Sequence, residues 1–577
     1  MKTNRFLLTI LGIVLVSIFK LHGQVTIGSN IPPENGALLD LKEKTDRTST
    51  KGLLLPRVEL THQKDLYPMF PPGDPAYTGT NKTDEDLNHT GLTVYNINTD
   101  KSKCIYPGVY TWNGSEWSAL SGEGRDCIYS CRKADSLALV ALYNATGGPS
   151  WNNSTNWLSD KPITEWNGIG CAIGGGECPG ELRVTSLLLG WNNLAGNLPP
   201  EIGNLTQLTH IDFWNSSLAG SLPSEIGNLT NLEWFRIPDS GLGGEIPASI
   251  GNLTKLKHFE AWNNSFTGNI PEELWDLVNL EHLSLNSNQL TGNISPAIGN
   301  FINLKYLNLA ANKLNGNIPL QIGGLSNIEE LSLANNELTG TIPTEIGNLS
   351  LLKGLNLASN QLTSVPSTIS NLVNLEQLHL GHNQLSGAIP SSWRNHTKLQ
   401  YLYLQYNQFT GTFPIEICEL SALKILDLNS NQLTGILPSD LGNLSNLEEI
   451  HGWYNQFTGT LPTRLFDVTT LKRISLAGNQ FTGTIPSNIG NLTSLIYLGL
   501  NGNQLSGSLP TEMSSLVSLT ELHIFNNKLI GHIPDNLMGI SVRLVCPQSM
   551  PDGSPNLTPF TWNAGSWGAA NTTGGCP

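Results

Sequence analysis

The sequence predicts an α/β-type repeat solenoid: a right-handed coil with a parallel β-sheet on its concave face, preceded by a small β-rich module. Three observations predict it. The segment L-x-x-L-x-L-x-x-N-x-L-x-G-x-I-P recurs from residue 184 onward. Asn (61) and Gly (58) are each near one in ten of the 577 residues, and charged residues make up only 13%. A chain rich in Asn and Gly and poor in charge is typical of many repeated tight turns.

The repeat defines fifteen units within residues 184–540. In each unit we expect the Leu and Ile positions to point inward, the Asn to bond backbone groups at the bend, and Gly and Pro to shape the return path. The Asn position recurs every 24 residues, with one step of 23, and is Ser in the second and third units. The positions are Asn192, Ser216, Ser240, Asn264, Asn288, Asn312, Asn336, Asn360, Asn383, Asn407, Asn431, Asn455, Asn479, Asn503 and Asn527.

These residues resemble the leucine-rich repeat family. The L-x-G-x-I-P segment resembles the type found in plant receptor kinases and in polygalacturonase-inhibiting proteins. The resemblance implies a curved solenoid that binds ligands on its strand-bearing inner face. Because no membrane span or kinase follows the repeats, we do not expect signalling by phosphorylation.

Residues 1–23 are predicted to be a secretory signal peptide. Lys2 and Arg5 precede an apolar run from Phe6 to Phe19, and Gly23 ends the segment. Such a run is too short and wrongly flanked for a stable membrane span. We therefore expect an exported protein, secreted or held at the cell surface, with no membrane-spanning segment in the mature chain.

Residues 24–121 lack the 24-residue period and are predicted to form a β-rich module whose function the residues do not reveal. Its strand-like runs include GLLLPRV, GLTVYNI and GVYTWNG. These phrases resemble an amino-terminal module of exported Bacteroidetes proteins, where related segments precede fibre-like stalks. The resemblance implies surface attachment or an oligomerising role.

The segments that flank the repeats are predicted to be caps. Residues 122–183 are expected to form a helix from Ser136 to about Asn144 and then a Trp-rich loop, similar to the caps of plant and exported bacterial leucine-rich repeat proteins. Its tryptophans, Trp151, Trp157 and Trp166, are interpreted as cover for the first coil rather than as a ligand cage. Residues 541–577 are expected to form a C-terminal cap or tail.

Export places the cysteines where disulfides persist. The candidates are Cys127, Cys131, Cys171, Cys178, Cys546 and Cys576. The first four allow three pairings; we favour Cys171 with Cys178 and Cys127 with Cys131, and we expect the last two to staple the other end. A zinc site is the alternative for the first four, but no His pair lies nearby.

The charge balance and the motifs exclude several function classes. Lys and Arg total 31 against 46 Asp and Glu, a net charge of −15, so nucleic acid is not an expected partner. No serine-hydrolase elbow, zinc-protease motif, phosphate-binding loop or dinucleotide fingerprint is present. We therefore expect no enzyme activity and no cofactor. His258 and His282 occupy equivalent positions but lack a third ligand, so no metal site is expected.

Ligand-binding candidates lie at the x positions of L-x-x-L-x-L-x-x-N, which should face the inner surface about 4.8 Å apart on adjacent turns. The middle units carry small polar residues there, whereas two zones carry aromatic and charged ones. The first zone comprises Trp191, His210, Asp212, Trp214, Trp234, Arg236, His258, Glu260, Trp262, His282 and Tyr306. The second zone comprises His379, Tyr401, Tyr403, Tyr406, His451, Trp453 and Tyr454, with Asp427 between Tyr406 and His451.

Aromatic rings mixed with charged groups suit two ligand classes. Sugar rings stack on Trp and Tyr, and protein partners use Trp, Tyr and Arg as anchors. The sequence therefore predicts a recognition protein for a glycan or a protein. The alternative is an inhibitor whose inner face plugs the cleft of a secreted glycan-degrading enzyme. A structural alternative also stays open, in which these rings only pack flat over neighbouring strands.

Overall fold

The computed structural model describes residues 57–58, 93–96, 108–112, 117–121, 127–159, 161–173, 182–530, 537 and 541–543. They fall into two compact units, the first formed by residues up to 137 with 172–183, the second by residues 138–171 with those from 184 onward. The predicted signal peptide and most of the C-terminal tail lie outside the described residues, as do Cys178, Cys546 and Cys576 and the side chains of Cys127 and Cys131.

The first unit contains a four-stranded sheet. Its strands pair in chain order, the first pair parallel and the next two antiparallel. They are Arg57–Val58, Thr93–Asn96, Gly108–Trp112 and Trp117–Ser121. All the residues that the structure describes between 57 and 121 therefore lie in strands.

One α-helix, α1, spans Cys127–Ala145 and begins earlier than the predicted start at Ser136. Ser136 is typical of a helix N-cap, but the preceding CIYSCRKAD contains no Gly or Pro to stop the helix. Asp135 instead accepts two hydrogen bonds from Arg183, at 2.9 Å from Nε and 2.8 Å from Nη2. Both side chains are buried, so this ion pair ties α1 to the start of the repeat sheet.

The second unit is organised around one long parallel sheet, which we call the long sheet. Each strand pairs in register with the next turn of the chain. Ile169–Ile173 joins the same sheet. The strands contributed by successive turns are Leu182–Leu188, His210–Asp212, Trp234–Arg236, His258–Glu260, His282–Ser284, Tyr306–Asn308, Glu330–Ser332, Gly354–Asn356, Gln377–His379, Tyr401–Tyr403, Ile425–Asp427, Glu449–His451, Arg473–Ser475, Tyr497–Gly499, Glu521–His523 and Ser541–Arg543.

The final strand lies beyond the predicted end of the repeats at residue 540. Ser541–Arg543 pairs in parallel with Glu521–His523. The Gly and Pro of the repeat still follow Asn527, at Gly531 and Pro534, but residues 541–550 contain no Asn, so the repeat pattern fades before the sheet does. The sheet therefore extends one strand into the segment interpreted as a C-terminal tail.

The core is a stack of apolar side chains, because the middle residue of each short strand points inward. Ile211, Phe235, Phe259, Leu283 and Leu307 stand at equivalent positions, and each is fully buried. Each turn contributes several such residues and packs them only against the turns before and after it. The hydrophobic core is thus continuous along the repeats.

The Asn ladder forms as predicted. Asn431 is representative: its Nδ2 donates to the carbonyls of Leu404 and Leu428 at 3.0 and 3.1 Å, and its Oδ1 accepts from the Phe409 N–H at 3.0 Å. Ser240, one of the two substitutes, donates to the carbonyl of Ile237 at 2.7 Å. The ladder asparagines from Asn264 to Asn527 therefore satisfy backbone groups of two turns. Ser216 bonds only the Phe213 carbonyl of its own turn, and Asn192 bonds the backbone of Asn153 in the cap.

The return path consists of short outer strands and five-residue 3₁₀ helices. The helices are Pro200–Asn204, Ser224–Asn228, Ala248–Asn252, Glu272–Asp276, Pro296–Asn300, Leu320–Gly324, Thr344–Asn348, Ser367–Asn371, Ser391–Asn395, Ile415–Glu419, Ser439–Asn443, Thr463–Asp467, Ser487–Asn491 and Thr511–Ser515. The outer strands are Ala195–Asn197, Ser217–Ala219, Gly243–Glu245, Ser265–Thr267, Thr291–Asn293, Lys313–Asn317, Glu337–Thr341, Gln361–Ser364, Ser386–Ala388, Gln408–Thr412, Gln432–Ile436, Gln456–Thr458, Ser506–Ser508 and Lys528–Ile530.

The single 23-residue step has a local structural consequence. It falls between Asn360 and Asn383, where L-x-G-x-I-P is shortened to LTSVP. One four-stranded outer sheet ends at Gln361–Ser364 and another begins at Ser386–Ala388. The long sheet keeps its register across the same turn, since Gly354 pairs with Gln377. The missing residue is thus absorbed on the return side only.

The cap packs on the first turn through a cluster of buried rings. Trp157 stacks on Tyr143 at 5.7 Å and lies 4.8 Å from Trp151 and 5.1 Å from Trp166, measured between ring centroids. Each indole N–H donates to a backbone carbonyl. The three tryptophans are 6–7% exposed, which fits cover for the coil and leaves no open ligand cage. Short 3₁₀ turns at Gly148–Ser150 and Ile163–Glu165 shape this loop.

Candidate functional site

The outward residues of the long sheet form a surface that we call the strand face. In each turn, one residue precedes the buried middle residue, one follows it, and a third lies two positions further on. Equivalent residues align between turns: His210, Trp234 and His258 in the first column, and Asp212, Arg236 and Glu260 in the second. The structure thus places the predicted x positions side by side on one surface.

The first column of the first zone is a stack of five rings. Successive centroids from His210 through Trp234, His258 and His282 to Tyr306 lie 5.9, 3.5, 5.8 and 4.2 Å apart, with interplanar angles of 10°, 9°, 24° and 8°. Burial lowers the pKa of His258 and of His282, which favours neutral rings within the stack. Because the ring faces cover one another, this column presents mainly ring edges to a ligand.

The second column of the first zone is an ion-pair triad. Arg236 lies between two carboxylates, with Nη1 2.9 Å from Asp212 Oδ2 and Nε 3.3 Å from Glu260 Oε1. Burial raises the pKa of the Asp212 carboxyl, and the Arg236 guanidinium opposes that rise. The triad holds three hydrogen-bonding groups in fixed positions and carries one excess negative charge when both acids are ionised.

The tryptophans beside the triad differ in their support. Trp214 lies over Gly190, where a Cβ would come within 2.0 Å of Trp214 Cδ1, and it contacts Trp191 edge to face at 5.1 Å. Trp191 is 58% exposed. Trp262 is half-buried, and no other described aromatic ring is recorded against it. The two indoles lie two positions beyond Asp212 and Glu260, in what we call the third column. Pro238 lies between them, on the intervening turn.

The middle turns contain a pit that sequence analysis missed. A cavity of about 150 Å³ lies over Gly354, lined in part by Glu330, Gln377 and His379. A Cβ at Gly354 would collide with the Glu330 carboxylate, so glycine makes room for that side chain. Burial raises the pKa of Glu330, and the Glu376 carboxylate adds to the rise. The signal in the sequence that could have revealed this pit is an acid on one turn aligned with a glycine on the next.

The second zone is looser than the first. His379 lies 4.4 Å from Tyr403, and the Lys424 ammonium lies 5.9 Å from the Tyr401 ring. Trp453 contacts both Tyr406 and Tyr454 edge to face, at 5.9 and 5.0 Å. Tyr406 also stacks on His382 at 4.4 Å, so this zone combines one stacked pair with several rings that meet at angles.

A larger cavity, of about 410 Å³, lies at the C-terminal end of the strand face. Three of its lining residues belong to the predicted second zone: His451, Trp453 and Tyr454. Three others, Arg473, Tyr497 and His523, were not among the predicted site residues. They occupy the same columns on the following turns, so extending the columns beyond residue 454 would have found them.

The described residues show little that suits catalysis or metal binding. They contain no group of three or more His, Cys, Asp or Glu side chains that could hold a metal ion. Glu329 and Glu448 pair with Lys353 and Lys472 on the neighbouring turn rather than with a second acid. None of the described helices is both long and apolar enough to cross a membrane.

Comparisons with known proteins identify the repeats. Family models for leucine-rich repeats match residues 187–295, 303–325, 326–385, 350–409, 422–444 and 469–529. The solved structure of the Leptospira interrogans LRR protein LIC12759 is 35% identical; the match covers 58% of this chain and 84% of that one, with a TM-score of 0.51. This chain belongs to the leucine-rich repeat family. The predicted resemblance and fold class are confirmed.

This leucine-rich repeat protein is also similar to plant receptor ectodomains. The plant peptide hormone receptor RGFR1 in complex with RGF2 is 33% identical, with 60% of each chain covered and a TM-score of 0.57. The structure of PEPR1–AtPEP1 is 30% identical, with 72% of this chain covered and a TM-score of 0.62. The chain spans 60% and 61% of those two receptors' lengths.

The amino-terminal segment matches a different family model, a phage tail like trimerisation region, over residues 26–136. The match runs past the predicted module boundary at residue 121 and ends inside α1, close to where the first compact unit ends at Leu137. A search of curated proteins found no match.

Proposed function

We propose that this leucine-rich repeat protein is an exported recognition protein that binds a peptide or protein on its strand face and has no catalytic activity. The Arg236 triad, flanked by Trp214 and Trp262, carries the proposal. Tryptophan and arginine are the residues most enriched at binding hot spots. The solved structures of RGFR1 with RGF2 and of PEPR1–AtPEP1, which share this fold, support a peptide or protein ligand.

The stacked column favours a protein over a sugar in the first zone. Sugar rings bind aromatic side chains through the ring face, whereas one face of Trp234 is covered by His258 at 3.5 Å and the other is turned toward His210. Ring edges and a fixed ion-pair triad instead suit the hydrogen bonds and charged groups of a polypeptide. This arrangement supports a peptide or protein as the first zone's ligand.

The test measures binding and stability of the same variants. Arg236→Gln and Trp262→Ala should each weaken capture of the ligand from a mixture of secreted proteins by about tenfold or more. Gln321→Ala, an exposed change on the return side, is the matched control and should leave capture unchanged. Equal capture by all three variants would refute the strand face as the binding surface.

The same experiment separates the alternative ligands. A glycan receptor would lose capture in the presence of the free oligosaccharide. An inhibitor of a glycan-degrading enzyme would deplete that enzyme from solution and ignore free sugars. Either result would show that the ligand is not the one proposed. The strand face would still be the binding surface.

We also propose that the amino-terminal module assembles three copies of the chain. The match to a trimerisation region over residues 26–136 supports it. Three linked strand faces raise the apparent affinity for a repetitive surface by about 10²- to 10⁴-fold when the geometry lets all three bind at once. The signal-peptide pattern at residues 1–23 supports export of this assembly.

A further inference from the structure

We infer that the C-terminal cavity, bounded by Trp453, Tyr454, Arg473, Tyr497 and His523, is a separate binding site for an acidic saccharide, a chain of sugar rings that bear carboxylates. The inference goes beyond the proposed function, because it assigns a second ligand to the opposite end of the strand face. It rests on the shape, the charge and the aromatic wall of the cavity.

The shape of the cavity follows from small residues on two adjacent turns. Ser475 and Ala477 on one turn form a low floor in the second and third columns. Gly499 on the next turn makes room for Tyr497, since a Cβ there would lie 2.7 Å from Tyr497 Oη. The larger Trp453 precedes this floor and His523 follows it, and both line the cavity. Its volume of about 410 Å³ falls within the range of about 300–1,000 Å³ typical of small-ligand sites.

Arg473 is the only Lys or Arg among the described lining residues of the cavity. One carboxylate, that of Glu521, borders its far side, with Oε2 3.8 Å from His523 Nε2. The Arg473 guanidinium lies over the Tyr497 ring at 5.4 Å from the centroid. The aligned carboxylate of the preceding turn, Glu449, is engaged elsewhere, since its Oε2 lies 2.9 Å from His451 Nε2. No described carboxylate lies within ion-pair distance of Arg473, whereas Arg236 has one on each side. A cation without an acidic partner is positioned to bind an anion.

The aromatic wall is open, unlike the stacked rings of the first zone. Tyr454 is 65% exposed and has a left-handed backbone with φ 51°. Its ring lies over Gly478, where a Cβ would come within 2.3 Å of Tyr454 Cδ1, and edge to face against Trp453. Glycine and tryptophan thus hold an exposed ring in place. Such a ring surface suits the apolar face of a sugar.

The remaining lining favours a saccharide over an acidic peptide. Tyr497 Oη lies 3.3 Å from His523 Nδ1, and Asn501 and Ser475 add an amide and a hydroxyl. Hydroxyl-rich rings can bond these groups. Ala477 is the only aliphatic side chain among the described lining residues, so the lining consists mainly of aromatic rings and hydrogen-bonding groups. A ligand that combines a carboxylate, an apolar ring face and several hydroxyl groups is a uronate-type sugar.

The test is calorimetric titration of the mature chain with two probes, an oligogalacturonate and its carboxyl-reduced, neutral counterpart. The acidic probe should bind about tenfold or more tightly than the neutral one. Arg473→Gln should weaken the acidic probe by a similar factor, and Tyr454→Ala should weaken both probes. The matched control is Lys472→Gln, which removes the neighbouring cation that pairs with Glu448. It should change binding less than about twofold.

Several results would overturn the inference. These are no binding of the acidic probe by the folded wild-type chain, equal binding of both probes, or equal losses in Arg473→Gln and Lys472→Gln. Binding of a Glu-rich peptide in place of the saccharide, lost in Arg473→Gln, would assign the cavity to a protein ligand. Capture by the Arg236 and Trp262 variants is scored separately, so failure here leaves the proposed function standing.

Discussion

At the scale of single residues, His396 shows what the repeat tolerates. It occupies the position filled by Leu372 and Leu420 on the neighbouring turns, and it is fully buried. Its Nδ1 lies 3.1 Å from the Leu372 carbonyl, while its Nε2 has no hydrogen-bond partner among the described residues. A buried polar atom without a partner costs free energy, so this histidine should destabilise its turn.

We predict that His396→Leu raises the free energy of unfolding by about 1–3 kcal/mol. The gain should grow as pH falls. Burial lowers the pKa of His396, so the unfolded chain takes up the proton first, and the wild type loses stability as pH drops through the ordinary value of 6.5. Chemical denaturation at pH 8 and at pH 5 measures both effects. An equal or lower unfolding midpoint for His396→Leu at both pH values would contradict the prediction.

The proposed binding residues show where prediction from the sequence succeeds and where it fails. The repeat period fixes which side chains face outward, so His210, Arg236 and Tyr306 could be assigned to one surface from sequence. Which rings stack cannot be deduced that way, because stacking depends on side-chain rotamers and on the twist between turns. Arg473 was missed because, considered alone, it resembles a solvated charge. It becomes a candidate binding residue only together with the small residues beside it, which form the cavity.

At the scale of elements, the Asn ladder replaces the backbone partners that short strands cannot supply. Most strands of the long sheet are three residues long, so the bends that follow them would leave N–H and C=O groups buried and unpaired. The sequence repeat predicts this ladder fully, because each of its members sits at a fixed place in the unit. The outer strands carry weaker signals, and their lengths vary from three to five residues, whereas the 3₁₀ helices of the return path are all five residues long.

We predict that Asn431→Ala lowers the free energy of unfolding by about 2–4 kcal/mol, because the carbonyls of Leu404 and Leu428 and the Phe409 N–H lose their partner. Asn431→Ser is the matched control, since the single hydroxyl of Ser240 donates at an equivalent position, with the Ile237 carbonyl nearest at 2.7 Å. It should cost clearly less in urea denaturation. Equal losses for Ala and Ser would show that the side-chain hydrogen bonds contribute little.

The cap should behave as part of the core. Trp157 is 6% exposed and contacts three rings, so Trp157→Ala should cost about 3–5 kcal/mol and expose the first turn to association. Trp191→Ala removes the same side chain from an exposed position nearby and should cost less than about 1 kcal/mol. Thermal unfolding with light scattering compares the two. A small loss for Trp157→Ala would mean that the ring cluster is not what seals the solenoid.

At the scale of the whole molecule, we propose that the chain combines a trimerising module with a recognition solenoid. The repeat period predicts the solenoid from its own residues. The module has no period, so only family resemblance indicates its role. We expect the mature chain to sediment as a trimer, and a variant lacking residues 24–121 to sediment as a monomer with the same solenoid spectrum. A monomeric mature chain across micromolar concentrations would contradict trimerisation without affecting the solenoid.

The central claim is that ligand binds the strand face, and photo-cross-linking tests it most directly. A cross-linking amino acid is placed at Asn286, beside Trp262 on the next turn of the strand face, or at Gln321, exposed on the return side. Each chain is irradiated in a mixture of secreted proteins. We predict a discrete adduct from position 286 that Arg236→Gln abolishes, and none from position 321. Adducts from position 321 alone, or equally from both, would contradict the account.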